Sequence, residues 1–345
     1  MLVGSYPPPY GGCSVHVERL CAALRDDYDV SVVDLYGSKK PTDEAWLTRC
    51  GPRRSLSGLR ALTALRRAPV PVVHFHVAAA GAFLTMGYLM LAALRPGARK
   101  IITIHSGSFV SRFAHAPGWR RAMLRSLLRR FDRIVVVNDD QRRFLGRLGI
   151  NPNKLAVVPA FLPPVATETP RVSAVFESLR GAERILIASG YGQPHYGFHL
   201  ILDALDRLGS RAARTGVVFC TYNSYDESYI QQLSDRLSAR RFSALLRDLT
   251  PGEFAWMLQR CDVYVRPTDR DGDAVALREA LYYGKRAVAS DCVTRPDGTV
   301  LFSTGNAEEL AQKLSMQIGA AAQAAPATVD TLGALRNVYA SVLTA

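Results

Sequence analysis

The sequence predicts an α/β fold divided into two domains, each built on a parallel sheet. Three observations predict it. Short apolar strand patterns alternate with helical patterns along the whole chain, as expected of consecutive β-α-β units. The length of 345 residues suits two domains of about 100 to 200 residues each. A proline-rich segment, PAFLPPVATETP (159–170), interrupts the pattern and is typical of a linker.

The first half of the chain contains six strand patterns, which are MLVG, YDVSVVDLY, PVVHFH, KIITIH, DRIVVV and KLAVVP. The first is short, so either this strand is trimmed or the true start lies upstream. The run 77–94 has 18 residues without a charge, which is about the lower limit for a membrane span. Because it lies between two strand patterns, we expect a buried crossover helix instead.

The second half contains five strand patterns, which are RILIASG, GVVFCTY, DVYVRP, KRAVAS and TVLF. A helical pattern, YGFHLILDALDRL, separates the first two, and TLGALRNVYASVL predicts a helix near the end of the chain. We therefore expect one domain at 1–160, a linker at 161–182, a second domain at 183–329 and a helix at 330–345.

The six cysteines form no CxxC or metal-finger spacing, and no signal-peptide pattern opens the sequence. We therefore expect reduced thiols in a cytoplasm. Residues 1–165 contain 24 Lys and Arg against 10 Asp and Glu, a net charge of +14, whereas residues 166–345 have 19 against 20, or −1. The first half therefore carries the basic excess.

Two basic segments suit an anionic membrane surface, RRSLSGLRALTALRR (53–67) and WRRAMLRSLLRR (119–130). In the second, apolar residues recur near the helical period with arginines between them, as in helices that lie in a membrane interface. The alternative is an ordinary amphipathic helix packed on its own sheet. Nucleic-acid binding is disfavoured because no recognisable nucleic-acid module accompanies the charge.

The segment from Asp262 to Asp291 carries the strongest functional signal. DVYVRP reads as a buried strand that stops at Pro267, and VALREALYY as the following helix. Between them an acidic loop, TDRDGDA, contains Asp271, and Glu279 follows eight residues later on the helix. The free N–H groups of the helix's first turn can bind a phosphate, and Glu279 can accept hydrogen bonds from sugar hydroxyls.

This pattern, an acid, a glycine, Glu-Ala-Leu, Gly284 and Val-Ala-Ser, resembles the paired-acid signature of retaining family 4 glycosyltransferases. The resemblance implies the GT-B fold, in which two Rossmann-like domains face each other across a cleft. It implies that Glu279 binds the ribose of a nucleotide-sugar donor and that Asp271 lies near the transferred sugar, with donor contacts also from Gly272, Asp273 and Ala274. The first acid of the family is more often Glu, so Asp271 is one methylene shorter.

The first loop, SYPPPYGGCSVHVERL, places Gly11 and Gly12 between a short strand and a helical pattern. Glycines there let backbone N–H groups approach a phosphate or sugar, and the resembled family carries a Gly-Gly loop at this place; a plain turn is the alternative. By the same resemblance, His105 contacts the donor sugar, although a strand-end histidine in the core is also consistent.

A metal site is not expected, because the resembled class commonly works without a metal. His74 and His76 share one face of a strand, but the sequence suggests no third ligand. His16 reads as a capping or packing residue of the first helix. No cofactor is expected besides the donor itself.

One departure concerns the donor diphosphate. Family members carry Gly-Arg after the first strand of the second domain and Lys-Gly soon after, and these cations clamp the diphosphate. This chain has Gly190-Tyr191 and Tyr196-Gly197 instead. A departing diphosphate needs cations or oriented N–H groups, so we expect substitutes among Arg266, Arg270, Arg278 and the tyrosine hydroxyls, or loss of activity.

The resemblance therefore implies transfer of a sugar, with retention, from a nucleotide-diphosphate sugar to a hydroxyl of a cell-surface polysaccharide or lipid-linked glycan precursor. We expect the basic first domain to handle the acceptor at the inner face of the cytoplasmic membrane, with the last helix packing back on that domain. A sugar-nucleotide epimerase of the same fold and a noncatalytic binding protein are the alternatives.

Overall fold

The computed structural model describes residues 1–35, 44–50, 57–78, 80–319 and 330–344. It divides into two compact units, unit 1 (Met1–Leu162 and Val329–Ala345) and unit 2 (Pro163–Thr328). The chain therefore leaves unit 1 once and returns to it. Residues 53–56 of the first basic segment and residues 320–329 of the second predicted domain lie outside the described residues.

Unit 1 contains a seven-stranded parallel sheet. Its strands are β1 (Leu2–Gly4), β2 (Val32–Asp34), β3 (Leu47–Arg49), β4 (Val72–Val77), β5 (Arg99–Ile104), β6 (Arg133–Val136) and β7 (Leu155–Val157). Its first six helices are α1 (Gly12–Leu24), α2 (Ser57–Arg67), α3 (Ala80–Ala93), α4 (Phe109–Ala114), α5 (Gly118–Arg129) and α6 (Asp139–Arg147). The spatial order is β3-β2-β1-β4-β5-β6-β7. It reverses between β1 and β4, where ligands bind outside the carboxyl ends of the strands in sheets of this kind.

Residues 80–93 of the uncharged run form α3, which connects the neighbouring strands β4 and β5. Phe83, Leu84 and Met90 pack into the core of unit 1, whereas Met86 and Leu89 are exposed. The predicted crossover helix is therefore present, but one of its faces is exposed. Among the described residues, no helix has both the length and the apolar character needed to cross a membrane.

Unit 2 contains a six-stranded parallel sheet. Its strands are β8 (Arg184–Gly192), β9 (Thr215–Tyr225), β10 (Ser243–Arg247), β11 (Val263–Arg266), β12 (Arg286–Ser290) and β13 (Thr299–Phe302). Its helices are α7 (Pro170–Ser178), α8 (Phe198–Leu208), α9 (Glu227–Ser238), α10 (Pro251–Leu258), α11 (Val275–Tyr282) and α12 (Ala307–Gly319). The order is β10-β9-β8-β11-β12-β13, so the reversal falls between β8 and β11.

The chain also contains short 3-10 turns at Pro152–Lys154, Pro194–Tyr196 and Gly209–Ala212. Helix α7 lies within the segment that the sequence analysis assigned to a linker. Pro170 is its first residue, a position where a missing N–H costs nothing and the fixed φ is already helical. A proline that suggested a break therefore begins a helix of unit 2.

The last helix, α13 (Thr331–Leu343), belongs to unit 1. Leu335, Val338, Tyr339 and Val342 are buried in the same apolar cluster as residues of α1 and β1. Asp330 caps the helix by accepting a hydrogen bond from the Gly333 N–H at 2.8 Å. The C-terminal segment thus completes one side of the unit 1 core.

Candidate functional site

The acidic loop of unit 2 lies where its strand order reverses. It joins β11 to α11 and follows a strand that pairs with both β8 and β12. The helix begins after Ala274, and no described side chain caps its first turn. Its first backbone N–H groups are therefore available to an anion at the carboxyl edge of the sheet.

Asp271 is held by two arginines. Its Oδ2 accepts hydrogen bonds from Arg266 Nε at 2.9 Å and from Arg295 Nη1 at 2.7 Å, and its Oδ1 accepts one from Arg266 Nη2 at 3.1 Å. Burial raises the pKa of Asp271, but Arg266 and Arg295 outweigh it and hold that pKa well below its usual range. The predicted sugar-contacting carboxylate is therefore ionised and fully engaged with the protein. The Gly272 N–H also donates to Oδ1, at 3.0 Å.

The three arginines proposed as substitutes for the diphosphate clamp all have partners. The Arg266 guanidinium donates hydrogen bonds to Asp271 and, at 2.8 Å, to the Ser189 carbonyl. Arg278 donates to Asp273 at 2.6 Å. Arg270 forms an exposed ion pair with Asp269 at 2.8 Å. Exposed ion pairs contribute little energy, so Asp269 competes with a diphosphate for its arginine less than the partners of Arg266 and Arg278 do.

Glu279 lies on the buried face of α11, and its side chain is only 3% exposed. It lies near Tyr222, at the end of β9, where burial and then neighbouring acids, Glu279 included, raise the pKa of the tyrosine. The acid that the resemblance assigns to the donor ribose is therefore buried in the structure. Its role in ribose binding stays a prediction.

Tyr191 and Tyr196 occupy the places where the resembled family carries cations. Their ring centroids are 5.4 Å apart, and the guanidinium carbon of Arg266 lies 5.0 Å from the Tyr196 ring, within range of a cation–π interaction. Burial raises the pKa of Tyr196 to about 12. The Arg266 guanidinium thus lies beside the ring of the partly buried Tyr196, whereas Tyr191 is 37% exposed.

Two glycines make room for this arrangement. A Cβ on Gly190 would lie 2.0 Å from Cδ1 of Tyr196, and one on Gly197 would lie 2.2 Å from the carbonyl oxygen of Pro267. Gly197 also has a φ of +71°, which side chains rarely adopt. Gly190 is therefore specified by the tyrosine ring, and Gly197 by the backbone.

In unit 1, the Gly-Gly loop follows β1 at the point of strand reversal. Gly11 precedes α1 with an extended backbone, and no described side chain caps the helix. Gly12 is exposed. This position at the carboxyl edge of the sheet is the one expected of a loop that approaches a ligand.

Four histidines meet beside that loop, and we call them the histidine cluster: His16 on α1, His74 and His76 on β4, and His105 after β5. His76 Nδ1 and His105 Nε2 are 3.0 Å apart. His74 hydrogen-bonds Tyr339 and Thr103, both at 2.7 Å. Burial lowers the pKa of every member, that of His16 to about 4. The cluster is therefore a group of neutral imidazoles.

The histidine cluster changes two expectations. His105 was predicted to contact the donor sugar or to be a strand-end histidine in the core, and in the structure it contacts the His76 ring. The sequence suggested no third partner for His74 and His76, yet His16 and His105 lie beside His76. Gly4 permits the close packing, since a Cβ there would lie 2.9 Å from Cβ of His76. The sequence does place these histidines on α1, on β4 and directly after β5. Their contact, however, follows only from the order of strands in the sheet.

The two basic segments form helices α2 and α5. In α5, Leu124, Leu127 and Leu128 are buried in the unit 1 core, as the alternative of an ordinary amphipathic helix requires. Trp119, however, is 60% exposed, and its neighbouring arginines are exposed as well. In α2, Leu59 is exposed next to Arg60. Each helix therefore packs on its own domain and still presents an apolar residue among cations.

Arg295 was not among the residues predicted from the sequence. Its side chain is 2% exposed and also donates to the Ser290 carbonyl at 2.9 Å. It lies in the loop after β12, in VTRPDG, where an arginine before a proline gives no local signal. Only the pairing of β11 with β12 brings it to Asp271.

The sequence profile of the family described as Glycosyltransferase Family 4 matches residues 10–164, which is most of unit 1. No curated protein sequence matches this chain. Among solved structures, the chain is similar to Anabaena Alr3699/HepE in complex with UDP-glucose, with a TM-score of 0.73 and 14% identity over 100% of this chain and 99% of that one.

Two further structures show the same likeness. Sucrose-phosphate synthase from Thermosynechococcus elongatus aligns with a TM-score of 0.73 and 14% identity, over 99% of this chain and 98% of that one. A glycosyltransferase from Rickettsia africae aligns with a TM-score of 0.64 and 12% identity, over 99% and 93%. The predicted GT-B fold and the resemblance to family 4 are confirmed.

Proposed function

We propose that this chain, which has a GT-B fold and matches glycosyltransferase family 4 over residues 10–164, transfers a hexose from a nucleotide-diphosphate sugar to a hydroxyl group. The acceptor class we propose is a cell-surface polysaccharide or lipid-linked glycan precursor, and the stereochemical outcome is retention. A uridine donor is the first to test, because the similar HepE structure contains UDP-glucose.

The observation that carries the proposal is the position of the acidic loop. It lies at the strand reversal of a parallel sheet, before a helix whose first turn has no described side-chain cap. Such a place binds the phosphates of nucleotides through backbone N–H groups. Phosphate binding by backbone N–H groups requires no lysine side chain. This fits a chain that has tyrosines where the resembled family carries its Arg and Lys.

The residues take the following roles in this proposal. Glu279 binds the donor ribose, and the N–H groups after Ala274 bind the diphosphate together with Arg270 and the Tyr191 hydroxyl. Asp271 fixes the loop through Arg266 and Arg295, so that its contact with the sugar is made by an already immobile carboxylate. In unit 1, His105 and Gly12 are the candidates for contact with the transferred sugar.

A panel of UDP-, GDP-, ADP- and dTDP-sugars, measured by thermal shift and calorimetry, tests donor binding. Ligand at a hundredfold excess over Kd stabilises the fold by about 2.7 kcal/mol. We expect the sugar nucleotides of one base to raise the Tm of the wild type. We expect Glu279→Gln to weaken the binding of those sugar nucleotides at least tenfold. The matched control is Glu308→Gln, an exposed acid on α12, which should bind like the wild type. Equal binding by both variants would refute the ribose role.

A noncatalytic nucleotide-sugar-binding protein is the second candidate. The engagement of Asp271 with two arginines and the loss of both family cations favour it. Release of nucleoside diphosphate from the bound donor, with and without lipid-linked acceptors, separates the two candidates. Binding without release under every acceptor condition would support the noncatalytic protein.

We also propose peripheral contact of unit 1 with an anionic membrane at the cytoplasmic face. The support is the exposed apolar residues Leu59, Leu89 and Trp119 on helices α2, α3 and α5 together with the exposed arginines of α2 and α5. Apolar side chains insert at the headgroup boundary while cations bind anionic lipids. A lipid-linked acceptor would be reached from this face.

A further inference from the structure

Three members of the histidine cluster present ring nitrogens to one another. His16, His76 and His105 each offer one nitrogen, and these three atoms lie within 4.8 Å of one another. One contact within the trio, between His76 Nδ1 and His105 Nε2, is 3.0 Å long. Two nitrogens on a tetrahedral zinc ion, with bonds of about 2.0 to 2.1 Å, lie about 3.4 Å apart. The 3.0 Å contact is shorter than this separation and the outer limit of 4.8 Å is longer, so the rings must shift to surround an ion.

Two buried nitrogens of this trio have no hydrogen-bond partner in the described part of the chain, Nδ1 of His16 and Nε2 of His76. In a site that uses His76 Nδ1, the atom that contacts His105, the unpartnered nitrogen available to the ion is Nδ1 of His16. Buried polar atoms in proteins nearly always have a partner. His16 meanwhile hydrogen-bonds the backbone of Ala160. Metal-binding histidines typically have one nitrogen fixed by a carbonyl or carboxylate and the other on the ion, and His16 has this arrangement.

His74 does not belong to the trio, because Tyr339 and Thr103 occupy its two nitrogens. It lies directly behind His76, with ring centroids 4.1 Å apart, and so restricts the orientation of that ring. His105 is the least buried of the four. An ion would therefore reach the trio from the side of His105.

The ligand chemistry selects a class of ion. Neutral imidazoles suit zinc, copper, nickel and cobalt, whereas magnesium and calcium require oxygen ligands. Three protein nitrogens leave a fourth position for water or a small anion, as in metal sites with an open coordination position. The trio has no carboxylate, so its affinity depends wholly on the three rings.

We propose that His16, His76 and His105 form a binding site for a divalent transition-metal ion of the zinc class. The proposal rests on unit 1 alone and does not depend on glycosyl transfer. The metal site has one consequence for the proposed reaction, because a His105 nitrogen that binds an ion is not available to contact the sugar. Ion binding and sugar contact by His105 would exclude one another.

The test uses the full chain without an affinity tag, stripped of metal by a chelator and then titrated with Zn²⁺ by calorimetry and with Co²⁺ by visible absorption. We expect one ion per chain and a cobalt d–d spectrum. His16→Ala and His76→Ala should each weaken binding more than tenfold. His115→Ala, an exposed histidine of the same unit, is the matched control and should bind like the wild type.

Failure of the wild type to bind zinc, or binding that survives both substitutions, overturns the proposal. Because the substitutions remove buried side chains, circular dichroism must show that the variants fold. If they do not, X-ray absorption of the zinc-loaded wild type decides the matter. Three imidazole ligands in the coordination shell support the site, and fewer than three refute it.

Discussion

Arg266 and Asp271 form a two-point ion pair, with Nε 2.9 Å from Oδ2 and Nη2 3.1 Å from Oδ1. Arg266 ends β11 and Asp271 lies in the loop that follows, so the pair fixes the start of that loop to the strand. Arg295 closes the arrangement from the loop after β12. The acidic loop is thereby immobilised before any ligand arrives, which lowers the entropic cost of binding there.

Removal of the central carboxylate should destabilise the protein strongly. In Asp271→Ala both arginines keep their charge in a buried place without their partner, and breaking a buried pair in this way costs about 3 to 5 kcal/mol. Urea unfolding measures the loss. Asp269→Ala removes only the exposed pair with Arg270 and should change the free energy of unfolding by at most about 1 kcal/mol. Equal effects of the two substitutions would contradict the structural role of Asp271.

The contribution of Asp271 should depend on pH in one direction. Its pKa in the folded protein lies below the value of about 3.9 in an unfolded chain. The ionised carboxylate therefore stabilises the fold above that unfolded value, and the stabilisation is lost as pH falls below it. The difference in unfolding free energy between the wild type and Asp271→Asn should be largest near pH 7 and shrink below about pH 4. A difference that stays constant down to pH 3 would contradict this.

The packing of Tyr196 on Gly190 predicts a rescue. Gly190→Ala places a Cβ against the Tyr196 ring, and such overpacking typically costs about 1 to 3 kcal/mol. In a Tyr196→Ala background the ring is absent, so the same glycine substitution should cost much less. Thermal unfolding of the two single variants and the double variant measures the coupling.

Gly197→Ala is the comparison for that rescue. Its new Cβ would meet a backbone oxygen, that of Pro267, and its φ is positive. Tyr196→Ala should therefore not relieve its cost. If Tyr196→Ala relieves the cost of Gly197→Ala, or fails to relieve the cost of Gly190→Ala, then the Tyr196 ring is not the reason for a glycine at position 190.

Membrane contact by α5 should depend on charge. Arg120, Arg121 and Arg125 are exposed beside Trp119, and each cation near an anionic surface contributes about 1 kcal/mol. The triple substitution of these arginines to Glu should abolish flotation with phosphatidylglycerol-containing liposomes. Flotation of the wild type should weaken with added salt.

A charge-matched control separates this surface from the overall charge of the protein. Arg207, Arg211 and Arg241 are exposed in unit 2, and their substitution to Glu changes the net charge equally. That variant should float like the wild type. Loss of flotation in both triple variants would indicate a nonspecific charge effect, and an absence of flotation in the wild type would refute the contact.

The fold was largely predictable because the strands of a buried parallel sheet are apolar along their whole length. Eleven predicted strand patterns correspond to observed strands. Two strands of the described residues were missed, β3 and β10, and they are outer strands of their sheets. LTR and SALLR are short and only partly buried, so neither shows the apolar run that identified the others.

The candidate site was predictable only where its residues are neighbours in sequence. Asp271 and Glu279 belong to one strand-loop-helix pattern, so their common location could be inferred. Arg295 and His16 could not be inferred, because strand pairing brings them to their partners from other loops and helices. What a side chain is bonded to depends on the order of strands in the sheet, which a local pattern does not contain.

The hydrogen bond between Tyr339 and His74 has a consequence for the order in which the protein is made. Unit 1 needs α13 to cover its core, yet residues 331–343 are translated only after all of unit 2. Until then the Leu335 and Tyr339 positions are vacant, and His74 lacks one partner. During synthesis on the ribosome, unit 2 can therefore finish folding before unit 1, because unit 1 is complete only after α13 has been translated.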